Sequence, residues 1–281
     1  MIETGEKVTR FIVLGDQQEP YGDERAQRLV VEVMKSEADA GRNYDYCVDL
    51  GDRFDFDGLT LKFLRKPGTG LDLRRVVNSV AKRFNQENEA LGEQCKRVWL
   101  AGNHEQRLPN YVYEAAPALY DLLDTDQGVL TVPFFLKHYG ADISNLQYVE
   151  PYGNDWRYKF GGGGEFIFTH GDSHSKYASA VEVSDKVKNG MSGHLHRMQV
   201  TYKTTYDNVF GWWSNGCLCN IEGDNVPPGK KKGPQSRNWQ QGFSTIEFSR
   251  ERNLFSVTQH LIHRGKALVF GKQYVDRGGR G

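Results

Sequence analysis

Five short stretches of the chain set carboxylates, amides and imidazoles beside glycines. They are Gly15-Asp16-Gln17-Gln18, Gly51-Asp52-Arg53-Phe54-Asp55, Gly102-Asn103-His104-Glu105, His170-Gly171 and Gly193-His194-Leu195-His196. Imidazole suits Zn, Fe or Ni, carboxylate and amide oxygens suit Mg or Mn, and a mixture suits Mn, Fe or Zn. Two divalent ions about 3.5–4 Å apart need a bridging ligand and several terminal ones, and such pairs hydrolyse phosphate esters. Each stretch also has a plainer explanation. Asp52 can cap a turn, His104 can be a satisfied loop histidine, and His194 and His196 can share one face of a strand. Five coincidences of this kind are less economical than one site.

The elements that must position these residues show in the apolar pattern. Thr9 to Gly15 is a short apolar run ending in Gly, which reads as a buried strand. Ala26, Leu29, Val30, Val33 and Met34 recur at helical spacing after Asp23, a helix cap, and predict an amphipathic helix over about 24–38. Tyr44 to Leu50 is a second strand, so the opening is a βαβ unit with parallel pairing. Val76, Val77, Val80 and Phe84 predict a helix, Val98 to Ala101 a central strand, and 109–123 another helix. From about Val129 strands become frequent and helices rare. Residues 158–160 and 165–168 flank four glycines as a hairpin. A helix over about 177–188 is followed by strands near 200–206, 210–214, 243–248 and 254–262. In each case the polar stretch leaves a strand's carboxyl end, where open α/β sheets place their sites.

Composition narrows the field. With 36 basic and 36 acidic residues in 281, no global charge draws the chain to nucleic acid or to an anionic surface. Lys62, Arg65, Lys66, Arg74, Arg75, Lys82 and Arg83 are concentrated in one stretch, either a solvated helix face or a basic flap beside the site. No apolar run approaches the roughly 20 residues of a membrane helix, and Met1 to Lys7 lacks the apolar core of a signal peptide. Four cysteines do not make a disulfide framework, which suits a reducing compartment. Cys217-Leu218-Cys219 reads as too tight and too isolated for a zinc site. Residues 222–240 are a polar loop with a Lys triplet. One domain over 1–275 with two facing sheets is expected, followed by a disordered tail from Asp276.

The ordered motifs resemble those of the calcineurin-like metallophosphoesterase superfamily: Asp-x-His, Gly-Asp-x-x-Asp, Gly-Asn-His-Glu, His, and Gly-His-x-His. They span residues 16–196 here. The region with Trp212-Trp213-Ser214-Asn215-Gly216-Cys217-Leu218-Cys219 and Trp239-Gln240-Gln241-Gly242-Phe243 is more weakly similar to phosphoesterases of phages and prophages. The resemblance implies a four-layered α/β/β/α sandwich and two divalent ions, Mn favoured over Zn, Fe, Ni or Mg. It implies that Asp16, Gln18 and His196 hold the first ion, Asp52 bridges, and Asn103, His170 and His194 complete the second. A hydroxide between the ions would attack phosphorus while His104 assists the leaving group. Asp55 and Glu105 would orient ligands, and Arg107 could contact phosphate. Gln18 departs from the family's His and makes the first position weaker and harder. His174 has no counterpart in the pattern. The implied activity is a phosphodiesterase on nucleotides or nucleic acid in the cytoplasm, or in the host cytoplasm for a phage enzyme. A phosphomonoesterase or protein phosphatase is the alternative, and a non-catalytic scaffold on the same fold the less economical one. Tyr21, Phe54, Phe56, Trp212 and Trp213 are either core or base-stacking residues.

Overall fold

β1 (Val8–Leu14) is buried on both sides, which is why its apolar run does not alternate. Phe11 and Val13 face one core, and Ile12 and Leu14 face another. The computed structural model describes residues 7–60, 72–123, 130–223, 225–227 and 238–276. α1 (Glu24–Asp39) starts at Asp23, whose carboxylate accepts from the Arg25 and Ala26 amides. It lays Ala26, Leu29, Val30, Val33 and Met34 on Ile12 and Leu14. β2 (Tyr46–Asp49) pairs parallel with β1, as the βαβ spacing predicts.

α2 (Leu73–Leu91) packs Val76, Val77, Val80 and Phe84 against Trp99 of β3 (Lys96–Leu100). β4 (Leu146–Val149) extends the parallel set on the far side of β3. β10 (Gln241–Ser249) and β11 (Phe255–Ile262) join antiparallel on the other edge, giving the order β11-β10-β1-β2-β3-β4. The second sheet holds β5 (Trp156–Phe160), β6 (Gly164–Thr169), β7 (Asn189–Ser192), β8 (Gln199–Thr204) and β9 (Val209–Ser214), in the order β5-β6-β7-β9-β8. In this sheet β6, β7 and β9 are parallel, with antiparallel edges.

The sheets face each other across an aromatic core. Phe11, Val13, Val48, Val98, Leu100 and Phe248 meet Phe160, Phe166, Phe168, Met191 and Trp213. α5 (Ala178–Lys186) covers the back of the second sheet through Val183 on Ile167 and Trp212. The layers therefore run helix, sheet, sheet, helix, which is the α/β/β/α sandwich expected.

Several expectations need correction. The helix expected over 109–123 is α3 (Arg107–Ala115) followed by a 3₁₀ segment, Pro117–Leu123. Pro117 disfavours helical backbone at Ala116, which sits at φ −143°. α4 (Val132–His138) lies in the stretch read as strand-rich. Its signals are a Thr131 cap on the Phe134 amide and a proline in the first turn. The hairpin β12 (Lys266–Val269) and β13 (Lys272–Val275) was not expected, and packs Ala267 and Val269 into the α1 core. Asp276 is not a free tail residue, since Arg28 pairs with it at 2.8 Å. Residues 277–281 lie outside the described residues. So do Lys62, Arg65 and Lys66 of the basic stretch, whereas Arg74, Arg75 and Lys82 are exposed on α2.

Beneath the site lies a buried ion network. Arg53 is fully buried, with Nε 2.7 Å from Asp49 and Nη2 2.9 Å from Glu87. Arg97 reaches the same Glu87 oxygen at 2.7 Å. Removing one member of such a network leaves buried charges uncompensated, at a cost of about 3–5 kcal/mol. Arg53→Met should therefore lower unfolding free energy by about that amount, read as a shift in urea midpoint. An unchanged midpoint would show that Arg53 does not brace the loop carrying Asp52.

Candidate metal centre

The loops leaving β1 and β2 run side by side. The Asp16 amide donates to Gly51 O (2.9 Å) and the Gln18 amide to Asp52 O (2.8 Å). Asp16, Gln18, Asp52, His194 and His196 all have left-handed backbone, with φ of 52°, 51°, 55°, 71° and 58°. Each such non-glycine residue costs on the order of 1 kcal/mol or more and persists only where its surroundings hold it, a pattern typical of functional sites. The neighbouring glycines have a steric reason. A Cβ on Gly51 would lie 2.7 Å from the Gly102 nitrogen and 2.8 Å from His170 Nδ1, and one on Gly102 would overlap Asp52 Oδ1.

The seven residues read from the sequence as candidate metal ligands converge here. Asp16 Oδ1 lies 3.2 Å from His196 Nε2, and Gln18 Nε2 lies 3.1 Å from the same nitrogen. Gln18 Nε2 is 3.4 Å from Asp52 Oδ2, which is 3.3 Å from His170 Nε2. Asn103 Oδ1 lies between His170 Nε2 (3.0 Å) and His194 Nδ1 (2.9 Å). His170 Nδ1 is 2.7 Å from Leu50 O, and donating there turns its other nitrogen toward Asp52. Glu105 does not enter the cluster. It accepts from the amides of Asp52 (2.8 Å), Gly102 (2.9 Å) and Phe54 (3.0 Å), and so clamps the two loops together. Burial, then the Asp52 charge, pushes its carboxyl up to about 7.

His104 stands at the edge of the cluster. Its Nδ1 lies 3.0 Å from Asp55 O and 3.2 Å from Asp55 Oδ2, and its Nε2 is 3.7 Å from Asp52 Oδ2. Burial pushes this imidazole down, but the Asp52 and Asp55 carboxylates more than offset it and raise its pKa. Arg107 donates to Asp55 through Nη1, and its Nη2 is 3.1 Å from His104 Nε2.

The donor set fits divalent cations. Asp52, His170 and His194 offer ligand atoms within 4.8 Å of one another. Gln18 Oε1 is buried and has no hydrogen-bond partner, and a half-turn of the amide aims it at the centre. Burial opposes charge on His170, yet Asp52 holds its pKa up at about 10. His194, pushed down first by burial and then by His170, sits at about 4.

Other residues at the site were given no place in it by the sequence. His174 Nδ1 lies 3.2 Å from His194 Nε2, so this loop histidine touches the cluster. Trp239 packs on His196 with centroids 4.2 Å apart, and Tyr152 meets the His170 ring edge-on. Cys219 Sγ is 3.7 Å from His196 Nδ1. Burial removes the base-stacking alternative for four of the five aromatic residues named for it. Phe54 and Phe56 stack on each other in the core, and Trp212 and Trp213 are buried. Tyr21 is half-buried and donates to Asp57 at 2.6 Å.

No protein-family model and no curated protein matches the chain. Similar solved structures include a single mutant of Vps29 from Entamoeba histolytica, with TM-score 0.40 and 11% identity over 94% of this chain and 96% of that one. A double mutant of the same protein has TM-score 0.39 and 11% identity over the same shares. Chaetomium thermophilum Vps29 complexed with a cyclic peptide has TM-score 0.42 and 9% identity over 92% and 89%. Likeness at this level assigns neither activity nor partner to this chain. Among the described residues no helix is long and apolar enough to cross a membrane.

Proposed function

We propose that the chain is a metal-dependent phosphoesterase of the calcineurin-like metallophosphoesterase type, acting on nucleotide or nucleic-acid phosphodiesters. The observation that carries this is the convergence of Asp16, Gln18, Asp52, Asn103, His170, His194 and His196 from both sheets, with His104 and Arg107 beside them. Asp16, Gln18 and His196 would hold one ion, Asn103, His170 and His194 a second, and Asp52 both. When bound, the ions neutralise phosphoryl charge and activate water. The remaining work belongs to the chain. His104, oriented by Asp55, gives its Nε2 proton to the leaving oxygen. Arg107, turning from His104 Nε2 to the substrate, neutralises a phosphoryl oxygen, and Asp55 orients the Arg107 and His104 side chains.

The test is a calorimetric Mn²⁺ titration with paired kinetics on bis-(p-nitrophenyl) phosphate and p-nitrophenyl phosphate. Two ions bound and faster diester hydrolysis are expected. A clear monoester preference favours the phosphomonoesterase alternative, and no hydrolysis with both ions bound favours a scaffold. Cleavage of 2′,3′-cyclic nucleotides but not single-stranded DNA keeps the diesterase and removes the nuclease.

Gln18 supplies an independent check. Gln18→His should tighten the first ion by about tenfold or more and shift preference from Mn²⁺ toward Zn²⁺, because imidazole is the softer and stronger donor. Histidine tolerates the left-handed backbone at this position. Identical Mn²⁺ and Zn²⁺ isotherms in the variant would remove Gln18 from the ligand set.

A further inference from the structure

We propose that Cys217, Cys219 and His196 form a separate site for one thiophilic divalent ion, Zn²⁺ or Cd²⁺ in class, behind the phosphoesterase centre. The tight cysteine spacing that argued against zinc in the sequence has a structural answer, because the third ligand comes from the loop after β7.

The segment after β9 runs as extended chain. Cys217 bridges to Gln241, Cys219 bridges to Gly22, and the Leu218 amide donates to Asp16 O at 3.2 Å. Alternation along extended chain sends Leu218 one way, into the α1 core, and both sulfurs the other. They arrive at His196, whose ring lies between two kinds of donor. Nε2 faces the oxygen side, 3.2 Å from Asp16 Oδ1, and Nδ1 faces the sulfur side, 3.7 Å from Cys219 Sγ. One ligand atom from each of the three residues lies within 4.8 Å of the others. Tetrahedral zinc with its usual bond lengths sets sulfur and nitrogen ligands about 3.6 Å apart, close to the distance found. All three residues are buried. Two thiolates and an imidazole prefer Zn²⁺ or Cd²⁺ to Mn²⁺ or Mg²⁺, whereas the oxygen-rich side has the opposite preference.

Binding replaces two S–H bonds by bonds to the ion, and Nδ1 binds through its lone pair. Both thiol protons leave to solvent, and the imidazole proton sits on Nε2, beside Asp16 Oδ1, when that nitrogen is free and leaves to solvent when an ion holds it. Three protein ligands leave one exchangeable position. The site shares His196 with the proposed first ion but takes only its Nδ1, so it does not depend on the phosphoesterase reading.

The experiment uses the full, reduced chain under anaerobic conditions, with Mn²⁺ added in excess and Cd²⁺ then titrated. The expected result is a thiolate-to-cadmium charge-transfer absorption that saturates at one Cd²⁺ per chain. It should be lost in Cys217→Ala and in Cys219→Ala and kept in Cys95→Ala. The cadmium-113 resonance of the unmodified protein gives a second reading that needs no variant, with a shift characteristic of two sulfur ligands. Absence of the absorption at saturating Cd²⁺, its persistence in both variants, or a resonance typical of oxygen ligands alone would overturn the site.

Discussion

Asp52→Asn is expected to lower turnover by about 10³-fold or more, roughly 4 kcal/mol of transition-state stabilisation, while the protein stays folded. The carboxylate is the hub of the cluster. Oδ2 lies 3.3 Å from His170 and 3.4 Å from Gln18, and Oδ1 accepts the His104 amide at 2.9 Å. An asparagine keeps one acceptor for that amide and tolerates φ 55° as aspartate does, so the loop keeps its shape. It cannot keep the charge. The His170 and His104 imidazoles hold the Asp52 carboxyl far below its usual range against burial, so it is an anion at every working pH. A neutral amide in its place neutralises neither ion and no longer supports charge on His170. Steady-state kinetics, bound-metal content and a thermal melt together check this. Undiminished turnover with two ions bound would show that Asp52 is not the shared ligand.

Much of this arrangement was legible because the apolar runs and the polar residues that end them share one physical cause. Ile12 and Leu14 face α1 while Phe11 and Val13 face the second sheet, so β1 shows as a continuous run and Asp16 as the first polar residue past it. The same holds for β2 with Asp52, β3 with Asn103 and β6 with His170, whereas β7, Asn189-Gly190-Met191-Ser192, carries no apolar run before His194 and was not expected. What was not legible depends on long-range contact. The left-handed backbone at Asp16, Gln18, Asp52, His194 and His196 is imposed by loops packing on each other, and nothing in the local sequence marks it. Gly102 could be read as a strand terminator, but its tighter reason is the approach of Asp52. Trp212 and Trp213 look like candidate stacking residues until α5 and the opposing sheet are seen to cover them. Trp239, at the end of a polar loop and given no role in the site by the sequence, is the aromatic residue that packs on His196. Cys217 and Cys219 look isolated only along the chain.

The second large effect is expected at His104. His104→Ala should slow diesters with poor leaving groups by about 10²–10⁴-fold, the range of general-acid assistance. The p-nitrophenyl esters should lose far less, because p-nitrophenolate departs without a proton. The geometry supports this division. Asp55 holds Nδ1 through its carbonyl and carboxylate, and Nε2 faces Asp52 Oδ2 at 3.7 Å and Arg107 Nη2 at 3.1 Å, so in the proposed reaction Arg107 turns to the phosphoryl oxygen and leaves Nε2 to carry the proton. Asp52 and Asp55 also keep the ring's pKa raised, as a proton donor requires. His104 contributes no atom to the candidate ligand set, so the variant should retain both ions. That separates the effect from simple loss of metal. The measurement is a leaving-group series of aryl and alkyl diesters with Mn²⁺ in both proteins, with metal content checked in parallel. A steeper dependence of rate on leaving-group pKa in His104→Ala is the expected signature. Asp55→Asn should show a weaker form of it, since it disturbs only the orientation and charge of the ring. If the variant slows good and poor leaving groups equally, with metals retained, His104 binds substrate and does not donate the proton.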